Sequence, residues 1–320
     1  MINNLNLCKE GNSRQTFMDA LLEEAKQDSN IIVLTSDATG SAAVGKIADQ
    51  LPDQFVECGI AEQDMVGIAA GIASFGKKPF VCGPAAFMSA RSFEQIKVDV
   101  AYSKKNVKLI GVSGGVSYGA LGETHYSVQD FAALRAVAGI DIFCPSDPVQ
   151  ATALAKILTA SENPAYLRMG RGNVPVIYDE SDSFIIGKAV ECRDGRDVAI
   201  IAIGEQVYQA LSAAAELEKM NIHARVIDMF TLKPLDEDAI IKAAKETGCI
   251  VTAEEHCVYG GLGSAVAQVL GEHCPTPVKC IALPNEILLC GSSAEMKEHY
   301  GINADGIVKA VMEVIERKQI

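Results

Sequence analysis

The ten cysteines contain no C-x-x-C pair and no Cys/His grouping at structural zinc spacing. That excludes the familiar zinc folds and points to a reducing cytoplasm. Met1 to Thr16 lacks the apolar core of a signal peptide, so no secretory leader is expected. No apolar run reaches the ~20 residues that a membrane span needs; the 14-residue uncharged stretch Leu109 to Gly122 is broken by five glycines. Positive charge is also short, with 28 Lys and Arg against 41 Asp and Glu and a net charge of −13. This is the wrong sign for holding nucleic acid or an anionic membrane by field alone. Neither partner is expected, and any anionic ligand must be gripped locally.

What is present is an ordinary globular balance, 49% hydrophobic and 22% charged over 320 residues, enough for two domains at about 100–200 residues each. From Ser13 onward, short β-branched runs alternate with segments of helical period, the pattern of parallel strands joined by crossover helices, so the fold class is α/β. Strands are expected at Ile31–Thr35, Phe55–Cys58, Pro79–Cys82, Val107–Ser113, Asp141–Cys144 and Ala165–Met169. Ser13 is read as a helix cap, and Asp147-Pro148 as a cap followed by proline at the first helical position. Between Gly170 and Gly195 the period lapses. The expected organisation is a first domain over 1–175, a linker over 176–194 and a second domain over 195–320, each with a mostly parallel sheet flanked by helices. Strands of the second are placed at Val198–Ile203, Ala224–Ile227, Ile250–Ala253 and Val278–Ala282.

Open sheets of this kind bind ligands beyond the carboxyl ends of their strands. The segments to inspect are therefore 36–43, 59–64, 83–91, 114–125 and 170–173. In the second of these, Glu62 opens an apolar helix rich in small residues. Taken alone it reads either as a first-turn Glu that complements the helix dipole or as a desolvated carboxyl able to share a proton with a ligand nitrogen.

The stretch Glu57-Cys58-Gly59-Ile60-Ala61-Glu62-Gln63-Asp64-Met65 resembles the transketolase segment that carries the glutamate facing the aminopyrimidine of thiamine diphosphate. The likeness continues through Phe87 to Arg91, Gln95, Gly122 to His125, Pro145-Ser146-Asp147, Arg171 and Phe230-Thr231-Leu232-Lys233-Pro234-Leu235-Asp236. The chain is similar to the pyrimidine-binding and C-terminal domains of a transketolase, as in the second subunit of a split enzyme. No Gly-Asp-Gly metal-diphosphate segment is present, so no metal ligand is assigned here. The resemblance implies a partner subunit carrying the diphosphate-binding domain and the Mg2+ or similar ion, self-dimerisation within a heterotetramer, and a cofactor site shared between the chains.

It also implies residue roles. Glu62 hydrogen-bonds the pyrimidine N1′ and favours the imino tautomer that removes the thiazolium C2 proton. Phe87 packs on the pyrimidine, although Pro84 stands where a second Phe is common, and Asp37 lies near the cofactor. Arg14, Ser41 and Arg171 hold the anionic end of a sugar phosphate. His125 polarises, or exchanges a proton with, the ketose near its reacting carbonyl, at the end of a loop whose glycines permit close approach to a ligand. Two substrate-facing positions depart from the family: Ser113 replaces a histidine, and Leu121 an acidic residue.

The expected activity is transfer of a two-carbon ketol unit from a ketose to an aldose phosphate, with an unusual branched or sulfonated ketose suggested by the departures. Half of a deoxyxylulose-phosphate-synthase-like enzyme, the beta subunit of a 2-oxo acid dehydrogenase and a non-catalytic scaffold are the alternatives. In the second domain, Gly260 to Ser264 is similar to a dinucleotide fingerprint but has Val266 at the third glycine and is set aside. Glu254-Glu255-His256-Cys257 fits no metal spacing and is read as polar packing at a subunit contact.

Overall fold

The structure, a computed structural model, describes residues 9–318. Its first sheet has 7 strands, ordered Thr231–Lys233, Asp141–Phe143, Ala165–Arg168, Lys108–Val112, Lys78–Pro84, Ile31–Thr35 and Phe55–Glu57. All neighbours are parallel except the edge strand Thr231–Lys233, which runs antiparallel to Asp141–Phe143. Ile31, Val33 and Leu34 are wholly buried, as parallel strands covered by helices on both faces must be. A second sheet of 5 strands runs Val278–Leu283, Ile250–Cys257, Val198–Ala202, Ala224–Asp228 and Val190–Arg193, the last antiparallel. Both are the α/β architecture expected.

Local chemistry explains the element ends. Helix Ser13–Gln27 buries Phe17, Met18, Leu21, Leu22 and Ala25 against helix Pro148–Ala160. Its cap is Asn12 and not Ser13: Asn12 has the extended backbone of a cap, and its Oδ1 accepts from the Gln15 amide at 3.1 Å, whereas Ser13 is already helical. Asp147 caps Pro148–Ala160 as expected, accepting from Gln150 N at 2.7 Å. Its second oxygen accepts from the amides of Ile177 and Tyr178 at 2.8 and 2.9 Å, tying down the chain that leaves the first sheet.

Two features were not foreseen. The stretch 176–194 contains the strand Val190–Arg193, which closes the edge of the second sheet, and Thr231–Lys233 leaves the second half of the chain to close the edge of the first. Neither carries an apolar or β-branched run: the first reads Val-Glu-Cys-Arg and the second Thr-Leu-Lys before a proline. The buried apolar cluster that includes Phe17, Phe143, Val198 and Phe230 runs through both halves without a break. No helix among the described residues is long and apolar enough to cross a membrane.

Between the two sheets Asp228 is fully buried, with one carboxyl oxygen accepting from Tyr178 Oη at 2.6 Å, Ser146 Oγ at 2.9 Å and Gln150 Nε2 at 3.0 Å. Burial pushes its pKa up to about 7 against those donors. An acid raised in the folded state binds its proton more tightly folded than unfolded, so its contribution is present at low pH and is lost as pH rises from about 4 to about 7. Asp228→Asn is therefore expected to flatten the decline of unfolding free energy across that window, measured by urea titration. A decline as steep as that of the wild type would show that Asp228 does not titrate in this range.

Candidate active site

The carboxyl ends of Ile31–Thr35, Lys78–Pro84 and Lys108–Val112 lie side by side, and the segments that leave them form one continuous strip of side chains. Glu62 begins helix Glu62–Ser74, is 6% exposed, and accepts from Arg91 Nη1 at 2.9 Å. The Arg91 guanidinium lies 4.1 Å from the centre of the Phe87 ring, a cation–π contact one helical turn back along Ala85–Arg91. The His125 ring meets Phe87 edge-on at 5.1 Å and Tyr118 edge-on at 5.4 Å. Arg171 sits over the other side of this cluster, 5.1 Å from the Tyr118 ring. Arg14 is coupled electrostatically to both Arg171 and Tyr118 and donates to the Ser41 carbonyl at 2.6 Å.

Glu62, Phe87, His125 and Arg171 are thus joined in one chain of contacts through Arg91 and Tyr118, and Arg14, bonded to the Ser41 carbonyl, lies near enough to feel the Arg171 charge, so six of the eight residues expected at the site lie in one neighbourhood. Ser113 follows strand Lys108–Val112 in the left-handed region at φ +58°, fully buried, with a hydroxyl that has no hydrogen-bond partner among the described residues. A strained backbone and an orphaned buried hydroxyl at a strand end are features that collect at ligand sites. Asp37 also has positive φ, +53°, but only its backbone amide is engaged, donating to Glu57 Oε1 at 2.7 Å. Its exposed carboxylate makes no contact with the strip among the described residues.

The structure corrects three expectations. Glu62 meets a guanidinium, so the apolar mouth inferred from its flanking sequence is incomplete. Arg91, half exposed, engages only Oε1 of that carboxyl, and among the described residues Oε2 has no hydrogen-bond partner. The glycines of 114–122 accommodate protein more than ligand: a Cβ at Gly114 would stand 2.5 Å from Arg168, one at Gly115 would overlap the Glu255 carboxylate, and one at Gly119 would lie 2.9 Å from the Gly291 carbonyl. Glu254 to Cys257 pack within the chain, where its two halves meet. Glu254 accepts from the amides of Leu262 and Gly263, each at 2.7 Å, occupying the helix start that is similar to a dinucleotide fingerprint. The Ala132 amide donates to His256 Nε2 at 3.3 Å.

Two members of the strip were not singled out from sequence. Arg91 stands four residues after Phe87, a spacing that places it on the same helical face. Tyr118 is the lone aromatic of its glycine-rich loop and carried no further signal.

Burial first, and the Arg171 charge second, hold the Arg14 guanidinium below its ordinary pKa. Its Nε is buried without a partner among the described residues. Among the described residues no carboxylate lies within ion-pair distance of Arg14 or Arg171. Two neighbouring cations without a counter-charge form a site for an anion.

The chain is thus a two-domain α/β protein with a buried glutamate at a helix start, a Phe–His–Tyr cluster and two arginines along the strand ends of its first sheet. Likeness to known proteins gives that class its family. Residues 9–176 match the transketolase pyrimidine-binding domain and residues 187–307 the transketolase C-terminal domain. An apulose-4-phosphate transketolase subunit of Phocaeicola vulgatus is 51% identical over 318 residues, 99% of this chain and 100% of that protein. A 6-deoxy-6-sulfo-D-fructose transketolase subunit of a Clostridium species is 39% identical over 95% of each chain. A solved structure described as a split gene transketolase, inactive beta4 tetramer, superposes with TM-score 0.87 at 36% identity, covering 96% of this chain and 99% of that one. The chain belongs to the transketolase family, as a transketolase-type transferase subunit of the thiamine-diphosphate-dependent class.

Arg14→Ala or Arg171→Ala is expected to lower kcat/KM in the assembled enzyme by roughly 10- to 100-fold for substrates with an anionic terminus, the loss of a charged hydrogen bond of about 1.5–3 kcal/mol. An equal loss with a neutral ketose would mark the pair as structural.

Proposed function

We propose that this chain is the pyrimidine- and sugar-binding subunit of a split transketolase, acting with a partner that carries the diphosphate-binding domain and a divalent ion such as Mg2+. In this reading it self-associates within a heterotetramer in the cytoplasm. The strip from Glu62 to Ser41 is the single observation that carries the reading, because it lays out in order the groups that a cofactor ring, a ketose carbonyl and an anionic terminus would require. Among the described residues no group of three or more His, Cys, Asp or Glu is disposed to hold a metal, and the arginines lie at the far end of the strip from Glu62. What is here fits the pyrimidine and the sugar.

When bound, thiamine diphosphate supplies the carbon nucleophile that breaks and remakes the bond next to the ketose carbonyl. Glu62 hydrogen-bonds the pyrimidine N1′ and holds or yields a proton there through the oxygen that Arg91 does not engage. Phe87 gives that ring an apolar floor. Thr124 Oγ1 engages His125 Nδ1 at 2.9 Å, leaving the other ring nitrogen to polarise the ketose carbonyl or carry its proton. Arg14 and Arg171 hold the anionic end, with Ser41 anchoring Arg14 through its carbonyl. Asp37 is assigned to the cofactor side, beyond Glu57.

The substrate is a specialised ketose, a branched sugar phosphate or a sulfonated sugar, with an aldose phosphate as acceptor. Two observations support this. By resemblance, Ser113 and Leu121 stand where the family has a basic and an acidic substrate contact, and a sugar hydroxyl left without a partner costs about 1–3 kcal/mol. The relatives named for apulose-4-phosphate and 6-deoxy-6-sulfo-D-fructose align with 95% or more of the chain.

The test is kcat/KM of the reconstituted pair for apulose 4-phosphate and 6-deoxy-6-sulfo-D-fructose against xylulose 5-phosphate and fructose 6-phosphate. One of the first two is expected to be preferred by at least tenfold, and Ser113→His/Leu121→Asp to narrow the gap. Efficient use of both common ketoses by the wild type would refute the specialisation.

A further inference from the structure

The loop that carries Tyr118 and His125 leaves strand Lys108–Val112 and is closed on itself by a pair of backbone hydrogen bonds between Gly115 and Ser127, each 2.9 Å. Its underside rests on the second half of the chain. Val116, Tyr126 and Val128 pack into a small apolar cluster with Leu283, Leu288, Met296 and Ile302. Tyr126 Oη donates to the Leu289 carbonyl at 3.1 Å, and the Leu288 amide to Glu123 Oε2 at 3.3 Å. Most of these are ordinary packing contacts, but one is a buried charge aimed at the loop backbone.

Glu255, 5% exposed on strand Ile250–Cys257, accepts from the Val116 amide at 2.8 Å through Oε1. Its Oε2 pairs at 2.8 Å with Lys297, which also reaches Glu205 Oε2 at 2.8 Å. The lysine's pKa stands above its ordinary value: burial opposes its charge, and the two carboxylates more than offset that. A buried carboxylate paired on both oxygens has little freedom, and a peptide amide bound to it is held in the same frame. Val116 lies two residues before Tyr118, and no glycine intervenes.

We propose that Glu255, clamped by Lys297, is a positioning residue: from the second domain it fixes the loop 115–127 and so sets where Tyr118 and His125 meet the sugar. The inference rests on the assignment of His125 to the ketose.

The experiment uses the reconstituted pair with Glu255→Ala, Glu255→Gln and Lys297→Met. Three quantities are read: amide hydrogen exchange of peptides covering 114–127 against 108–112, steady-state kinetics with the preferred ketose, and proton exchange at the cofactor C2 carbon. Glu255→Ala is expected to speed exchange of 114–127 at least tenfold with 108–112 unchanged, to raise KM for the ketose about tenfold, and to leave C2 exchange within about twofold. Glu255→Gln keeps an acceptor for Val116 and is expected to restore both loop protection and KM to within about threefold. Lys297→Met frees the carboxylate and is expected to fall between the two, which keeps the test open if the Ala variant does not fold. Unchanged loop exchange in Glu255→Ala would overturn the clamp while leaving the assignment of His125 intact. A loosened loop with unchanged ketose kinetics would overturn the positioning role and that assignment together. A fall in C2 exchange equal to the loss of ketose use would reduce Glu255 to general structure.

Discussion

The site depends on a buried ion pair. Arg168, at the end of strand Ala165–Arg168, binds Asp130 at 3.0 Å with both side chains almost wholly excluded from solvent. Removing one partner of such a pair typically costs about 3–5 kcal/mol, because the other charge is left buried alone. The pair is held from every side: Tyr166 Oη donates to Asp130 at 2.6 Å, the guanidinium stacks 4.0 Å from the Phe131 ring, and Arg168 Nη2 donates to the Glu255 carbonyl at 2.9 Å. Through these contacts the central strands of the first sheet, the helix Asp130–Arg135 and the second sheet become one rigid block. Gly114 and Gly170 flank it, so the loops bearing Tyr118, His125 and Arg171 spring from a single fixed base. A shallow anion site and a histidine can keep their spacing only if their bases do not move, and this pair holds the bases still.

Much of this was legible in the sequence because parallel strands and their helices leave strong periods. The ten expected strands all form, several to within a residue, and the segments expected to bear ligands do lie together at the strand ends. What could not be read is the traffic between the halves. The strand Thr231–Lys233 is only 3 residues long and joins a sheet built almost wholly from residues before 170. Glu254, Glu255 and His256 looked like an interface with another chain, since adjacent charges rarely face inward. They are buried because each finds its partners within the same chain: the amides of the next helix for Glu254, and, far along the chain or across its two halves, Val116 and Lys297 for Glu255 and the Ala132 amide for His256. The glycines of 114–122 signalled close approach, read as that of a ligand, where at Gly114, Gly115 and Gly119 the neighbour is the protein itself. The Arg91 contact to Glu62 was the most consequential omission, because it places a cation on the carboxylate that the sequence had left to an apolar helix mouth.

That contact bears on how the site assembles. Arg91 covers both Glu62 and the face of Phe87, so one half-exposed side chain occupies the two groups assigned to the pyrimidine. The arginine pair at the other end of the strip lacks a counter-ion among the described residues. One end is therefore compensated within the lone subunit and the other is not, while the groups that would grip a diphosphate and its metal belong to the proposed partner. A cofactor bound through its ring alone would lack the phosphate and metal contacts that the proposed partner supplies.

The most direct test of a divided site is calorimetric titration of thiamine diphosphate with Mg2+ into the isolated chain and into the chain with its diphosphate-binding partner. Tight binding only in the presence of the partner is the predicted result. Submicromolar binding by the isolated chain would contradict the account.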